Sequence, residues 1–227
     1  MSESPGGWRL PASAQAPLRP VTKTDLAYRQ IRQKILEGDL PPEMSLDQEA
    51  LAQSLRLSTT PVREALRRLE AERLVVSRAH RETMIAPLSP DTAEEVFAVR
   101  LSLDPLAASL AAAQASDSQR ERIRALSRQH PSEDDPVTSV YYNRHLHRSI
   151  YAASGNTTLT GMLDSLWDLS DRYRLIASRS VAAIAMPGDE HAAIVSAVTD
   201  GSPDRAAKLM REHVAASLGR IRAGFSG

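Results

Sequence analysis

Between residues 47 and 85 the spacing of apolar side chains switches from that of a helix to that of a strand, and the two helical stretches before the switch are a tight turn apart. From Asp47, Leu51 and Leu55 recur at four residues; from Ser58, Val62, Leu66 and Leu69 recur at four and three, so each set lies on one face of a helix. The RLS between them holds no more than a turn, and the pair reads as a helix-turn-helix. Ser58 is a natural N-cap, and Pro61 fits the first turn, where the amide it lacks has no helical partner in any case. Beyond Leu74 the period falls to two (Leu74, Val75, Val76, then Met84 and Ile85 around SRAHRET), which predicts a small hairpin, a wing, ahead of Pro87 and Pro90.

A helix also fits upstream, starting at Thr24 or Asp25, with Leu26, Ile31, Ile35 and Leu36 as its apolar stripe and an end at Gly38 before Pro41 and Pro42. Residues 1–21, rich in Pro, Ser, Gly and Ala, bury too little surface to offset their ordering entropy and read as a mobile arm. From Asp91 onward Gly and Pro fall only between helical stretches, at about 91–115, 117–129, 137–154, 157–180, 188–200 and 203–223, which predicts an antiparallel six-helix bundle. The expected fold is mainly α, with a winged helix-turn-helix over 22–89 and an all-helical domain over 90–227. The 227 residues include no cysteine, so disulfides, thiolate metal sites and cysteine nucleophiles are excluded. The amino terminus lacks the apolar core of a secretory signal, and no run of about 18 apolar residues occurs. A soluble, cytoplasmic protein with no membrane partner is expected.

Twenty-eight basic residues balance 28 acidic ones, so nucleic-acid binding requires a local basic patch. The second helix of the pair supplies one: Arg63, Arg67 and Arg68 take its outward positions, and Arg73, Arg78 and Arg81 follow, partly offset by Glu64, Glu70, Glu72 and Glu82. Ser58, Thr59 and Thr60 at the helix start can place hydroxyls on phosphates, with an arginine one turn later on a guanine edge in the major groove. The same arginines also suit solvated positions or pairs with glutamates at i+4.

The stretch LAQSLRLSTTPVREALRRLEAERLVV resembles the DNA-binding domain of the GntR family of bacterial regulators, most specifically in PVREAL followed by RLE and LV. Over residues 22 to 89 the resemblance implies a winged helix-turn-helix homodimer on a roughly palindromic double-stranded operator, with half-sites about one helical turn apart. Three positions depart from the family. Thr59 stands where Arg is frequent, which leaves Arg63 as the main base-contacting candidate; Arg73 and Glu82 stand where Gly is frequent.

In the carboxy-terminal half, Asn143 and His147 lie one turn apart, and His191 and His213 share the period of inward apolar residues on later helices. Three imidazoles and an amide oxygen suit a divalent ion such as Zn²⁺, Ni²⁺, Mn²⁺ or Fe²⁺, with positions left open for water or a carboxylate. Hydrogen-bonded interior histidines have the same spacing. His145 falls on another face of its helix, and His80 and His130 fall in the wing and a linker. Residues 91 to 223 resemble the FCD ligand-binding domain of the FadR-type branch: NRHLH followed by ASGN matches a D-x-x-F-H pattern and Ser-Gly-Asn turn, with two later histidines. The resemblance implies metal ligation by Asn143, His147, His191 and His213, with Asn143 where an Asp usually stands. It also places Arg100 in the effector cavity, where it would bind a small carboxylate; an ion pair with Asp104 is the alternative. Tyr142, Tyr173 and Arg174 are further candidates for that cavity.

The implied function is a transcriptional regulator, repression being the family habit, with a small organic acid controlling operator affinity. A metal-dependent helical hydrolase would explain the histidines but not the helix-turn-helix, and a metal-free dimerisation domain would leave them structural.

Overall fold

The computed structural model describes residues 21–78, 82–129, 136–180 and 188–225. Apart from Val21, the amino-terminal arm lies outside these residues, as do His80, Arg81 and His130. The chain is mainly helical, in two hydrophobic cores.

The first core is built by α1 (Lys23–Glu37), α2 (Gln48–Leu55), α3 (Thr59–Ala71) and a hairpin of β1 (Val75–Arg78) and β2 (Glu82–Ile85). Helix α1 begins at Lys23, one or two residues earlier than its spacing suggests. Thr22, not Thr24 or Asp25, is the N-cap, because Asp25 serves as the third helical residue of a capping box with it. Gly38 ends the helix at φ 79°, where a side chain is strained. Ile31, Val62, Leu66, Leu69, Leu74 and Ile85 fill the space between α1, α3 and the hairpin. The wing is antiparallel with Val75 opposite Ile85, and residues 43–46 run along β2, Leu46 N–H donating to the Thr83 carbonyl at 2.7 Å.

The second core is formed by six helices among the described residues: α4 (Pro90–Gln114), α5 (Asp117–Ser127), α6 (Pro136–Ala153), α7 (Thr157–Ser180), α8 (Gly188–Thr199) and α9 (Pro203–Phe225). Their limits follow the Gly and Pro punctuation closely, and local chemistry sets them. Ser116 and Gln119 form a capping box on α5, and Gly155 at φ 65° turns the chain so that Asn156 Oδ1 accepts Leu159 N–H at the start of α7. By length and composition α4 is apolar enough to cross a bilayer, but Ala107, Ala108, Ala111 and Ala112 are buried in the core, where their small size lets α9 approach closely. Pro105 inside α4 cannot donate to the Leu101 carbonyl one turn earlier; Arg211 of α9 does so instead at 2.7 Å. Arg120 of α5 donates to the carbonyls of Ala112, Ala115, Val198 and Thr199 at 2.9–3.0 Å, capping the ends of α4 and α8 with one guanidinium.

Candidate metal centre and DNA-binding surface

On the first domain, Ser58, Thr59, Thr60, Arg63 and Arg67 are all exposed along α3 and the turn before it. A groove of about 490 Å³ between α3 and the wing is lined by Arg63, Arg67, Gln48 and Thr83. Glu70 does not oppose these cations freely, because its Oε1 accepts Ser77 N–H of the wing at 3.1 Å. Arg68 is held within the domain, its guanidinium 3.7 Å from the Tyr28 ring centre and its Nη1 3.5 Å from Asp25. Arg63 and Arg67 therefore form the outward cationic pair of α3, and Arg73 points away toward Glu95 of α4.

Helices α6, α8 and α9 bring His147, His191 and His213 together, as their inward positions predict. All three are buried, and one ligating atom from each lies within 4.8 Å of the others. Asn143, one turn before His147, is fully buried, and among the described residues both its side-chain oxygen and nitrogen lack a hydrogen-bond partner. His147 Nε2 and His213 Nε2 are in the same state. A buried polar atom without a partner is costly, and here the unsatisfied atoms belong to residues of a mixed nitrogen and oxygen donor set. The cluster fits a divalent ion on that ground. His145 is exposed.

The surroundings are cationic. Burial, then the neighbouring histidines, Arg100 and Arg174, hold the His147 imidazole well below its usual pKa, and burial also lowers His213 despite its bond to Glu190. Arg100 is completely buried and paired with Asp104, Nη2 to Oδ2 at 2.7 Å; its Nη1 has no partner, so the internal ion pair is present with one donor to spare. Asp104 Oδ2 also accepts a bond from the Tyr151 hydroxyl at 2.9 Å, and the Tyr151 hydroxyl oxygen lies 2.9 Å from His147 Nδ1. Arg174 donates to Ser217 Oγ at 3.0 Å and lies 4.6 Å from the Trp167 ring centre, but no described carboxylate forms an ion pair with it. Burial and the repulsion of Arg100 pull its pKa down to about 9. A buried guanidinium in that state favours an entering anion. Tyr142 is buried with its ring edge-on to His191, but its hydroxyl goes to the Ser127 carbonyl; Tyr173 packs against Phe225.

Helix α7 joins this cluster to the first domain. Trp167, Ser170 and Arg174 lie on one face, with the Trp167 ring 4.9 Å from that of His147. Asp168 and Arg172 lie on the side turned to the first domain. Arg32 of α1 pairs with Asp168, Arg144 of α6 bridges Asp168 and Asp171, and Arg172 donates to the Ala86 carbonyl just beyond β2. Asp171 is buried between the two sets; burial raises its pKa, against the pull of Arg174 and Arg144. Leu169 packs against both hydrophobic cores. A groove of about 920 Å³ opens along this joint, lined by Arg32, Tyr141, Arg144 and Leu169 among others.

The sequence matches the family profile described as "Bacterial regulatory proteins, gntR family" over residues 23–85 and the FCD domain profile over residues 95–216. The chain belongs to the GntR family. It is 29% identical over 218 residues to the HTH-type transcriptional repressor GlaR of Escherichia coli, covering 91% of this chain and 99% of that one. It is also 29% identical over 192 residues to a probable D-xylose utilization operon transcriptional repressor of Paenarthrobacter nicotinovorans, covering 82% of each. In fold it is similar to E. coli McbR/YncC, with TM-score 0.78 at 18% identity, covering 90% of this chain and 99% of that one. This GntR-family chain is thus a DNA-binding transcriptional regulator, and its relatives are regulators rather than enzymes, which removes the hydrolase alternative.

Four residues of this GntR-family site were not legible as participants: Tyr151, Trp167, Asp171 and Glu190. Tyr151 follows His147 at i+4, so the period of Asn143 and His147 extends to it. Glu190 adjoins His191 and on a helix points elsewhere, and it turns to His213, 23 residues away, its Oε2 lying 2.7 Å from Nδ1. Nothing local in the sequence signals that bond.

Proposed function

We propose that this regulator is a homodimeric, cytoplasmic repressor whose affinity for a palindromic operator is set by a small carboxylate bound beside a divalent ion, Zn²⁺, Ni²⁺, Mn²⁺ or Fe²⁺, in the helical domain. The observation that carries the reading is the buried cluster of three histidines beside Asn143, the side-chain oxygen and nitrogen of Asn143 having no hydrogen-bond partner among the described residues. His147, His191, His213 and Asn143 would hold the ion. When bound, the ion supplies open coordination positions for a carboxylate oxygen. Arg174 and the spare Nη1 of Arg100 are the cations that neutralise and orient such an anion, and Tyr142 closes the chamber beside His191. The repressor relatives support repression as the direction of control.

On the DNA side, residues 22–89 present Ser58, Thr59, Thr60 and Arg67 to phosphates and Arg63 to a base edge, with Arg81 of the wing as a further phosphate contact. The effector domain, residues 90–227, supplies the second copy's contact: Val99, Leu106 and Met162 are exposed apolar residues for a partner to cover. Neutralising Arg174 alters the field at Asp171 on the next turn-side of α7, and Asp171 shares Arg144 with the Asp168–Arg32 pair at the joint. A coupling of about 1–3 kcal/mol across that joint changes operator occupancy roughly 5- to 150-fold.

The test is metal analysis and calorimetric titration of the purified protein with Zn²⁺, Ni²⁺ and Mn²⁺. Stoichiometric binding that His147→Ala and His213→Ala both abolish is the expected result, followed by carboxylate-dependent shifts in operator affinity. A wild-type protein that binds none of the three ions refutes the metal reading and leaves a DNA-binding regulator with a metal-free helical domain.

A further inference from the structure

We propose that Glu190 and Tyr151 fix which nitrogen of His213 and His147 faces an ion, and that Glu190 directly, and Asp104 through the Tyr151 hydroxyl, supply from outside the ligand set the negative charge that Asn143 does not carry. The inference rests on the metal reading above. The Tyr151 hydroxyl has one proton, and it is donated to Asp104 Oδ2 at 2.9 Å. Its 2.9 Å contact with His147 Nδ1 is therefore a bond donated by Nδ1–H. A neutral imidazole carries a single ring proton, so Nε2 of His147 keeps its lone pair. The same logic holds for His213. An ionised carboxylate only accepts, so the 2.7 Å contact with Glu190 Oε2 is donated by His213 Nδ1–H, and Nε2 is again the free donor atom. Both Nε2 atoms are buried and without a partner among the described residues.

The two braces are themselves anchored. Arg100 holds Asp104, and Arg220 lies 3.5 Å from the other oxygen of Glu190, so neither acid needs to turn inward to find a counter-charge. Three neutral imidazoles and a neutral amide give an ion no charge directly. Glu190 offsets this by polarising His213 through its Nδ1–H, and Asp104 does so for His147 through the Tyr151 hydroxyl; both raise the basicity of the far nitrogen. Glu190 and Tyr151 are thus positioning residues for the metal, not ligands.

Histidine ¹⁵N NMR on the metal-free protein and zinc calorimetry on wild type, Glu190→Gln, Glu190→Ala and Tyr151→Phe test this, with thermal melting to establish that each variant folds. Expected are Nδ1–H tautomers for His147 and His213 in the wild type, and zinc affinity reduced about 10- to 100-fold in Glu190→Ala and Tyr151→Phe. Glu190→Gln keeps an acceptor, so its His213 tautomer is retained while affinity still falls several-fold for want of charge. Wild type that binds zinc with Nε2–H tautomers, or a Glu190→Ala protein within about twofold of wild-type affinity, overturns the proposal while the metal reading stands. Wild type with the expected tautomers that binds no zinc overturns the metal reading and, with it, any service of these braces to an ion.

Discussion

Arg73 stands at φ 59°, a left-handed conformation where a side chain costs about 1–2 kcal/mol and glycine costs little. The family resemblance puts glycine there, and Arg73 stands in the backbone conformation that glycine favours. In return the side chain makes a 3.9 Å pair with Glu95, both ends well exposed, which is worth at most a few tenths of a kcal/mol. Arg73→Gly is expected to raise stability by about 1 kcal/mol, seen as a higher urea midpoint at unchanged slope, after part of the gain is lost to the freer unfolded chain. A midpoint at or below that of the wild type refutes strain at this position. Single residues of the site were legible where helical period alone decides burial, as for His147, His191 and His213. They were not legible where a partner comes from a distant segment. Arg100 illustrates the boundary: its pair with Asp104 is local and was foreseeable, whereas the Trp167 ring 4.2 Å from its guanidinium comes from another helix.

At the level of elements, helix limits were readable because Gly155, Gly201, Pro136 and Pro203 mark them, and the displaced start of α1, capped by Thr22, reflects a side-chain cap whose partner Asp25 looked like a cap itself. How the elements meet was less readable, since Arg32 is one of several polar residues along α1 and nothing in its spacing names Asp168. That pair ties α7, which also carries Trp167 against His147, to the first domain. If α7 carries the signal, saturating Zn²⁺ slows amide hydrogen exchange in α1 as well as in α6 of the wild type. In Arg32→Ala the α6 response is expected to remain and the α1 response to disappear. An α1 response in the variant equal to that of the wild type rules out transmission through this pair.

For the whole molecule, the buried histidines make stability depend on pH. His147 and His213 are held neutral by burial and by the nearby Arg100, Arg174 and Arg220, with Glu190 opposing at His213, whereas the unfolded chain protonates its histidines near pH ~6.5. Below that pH the unfolded state binds more protons than the folded one, so each lowered histidine removes stability as pH falls, by up to about 1.4 kcal/mol per pH unit. Urea unfolding of the metal-free protein is expected to give a falling ΔG from pH 7.5 to 5.5, and a flat profile contradicts neutral, buried imidazoles.

One side chain, Leu169, belongs to both hydrophobic cores, and the covalent link between them is the short run from Ala86 to Ser89, with one carbonyl already taken by Arg172. Anyone building a biosensor by grafting this helical half onto a foreign DNA-reading module must therefore transplant more than a linker. The incoming module has to present an apolar socket for Leu169, a cation for Asp168 and an open carbonyl for Arg172, or the chimera gains two working parts with no conversation between them.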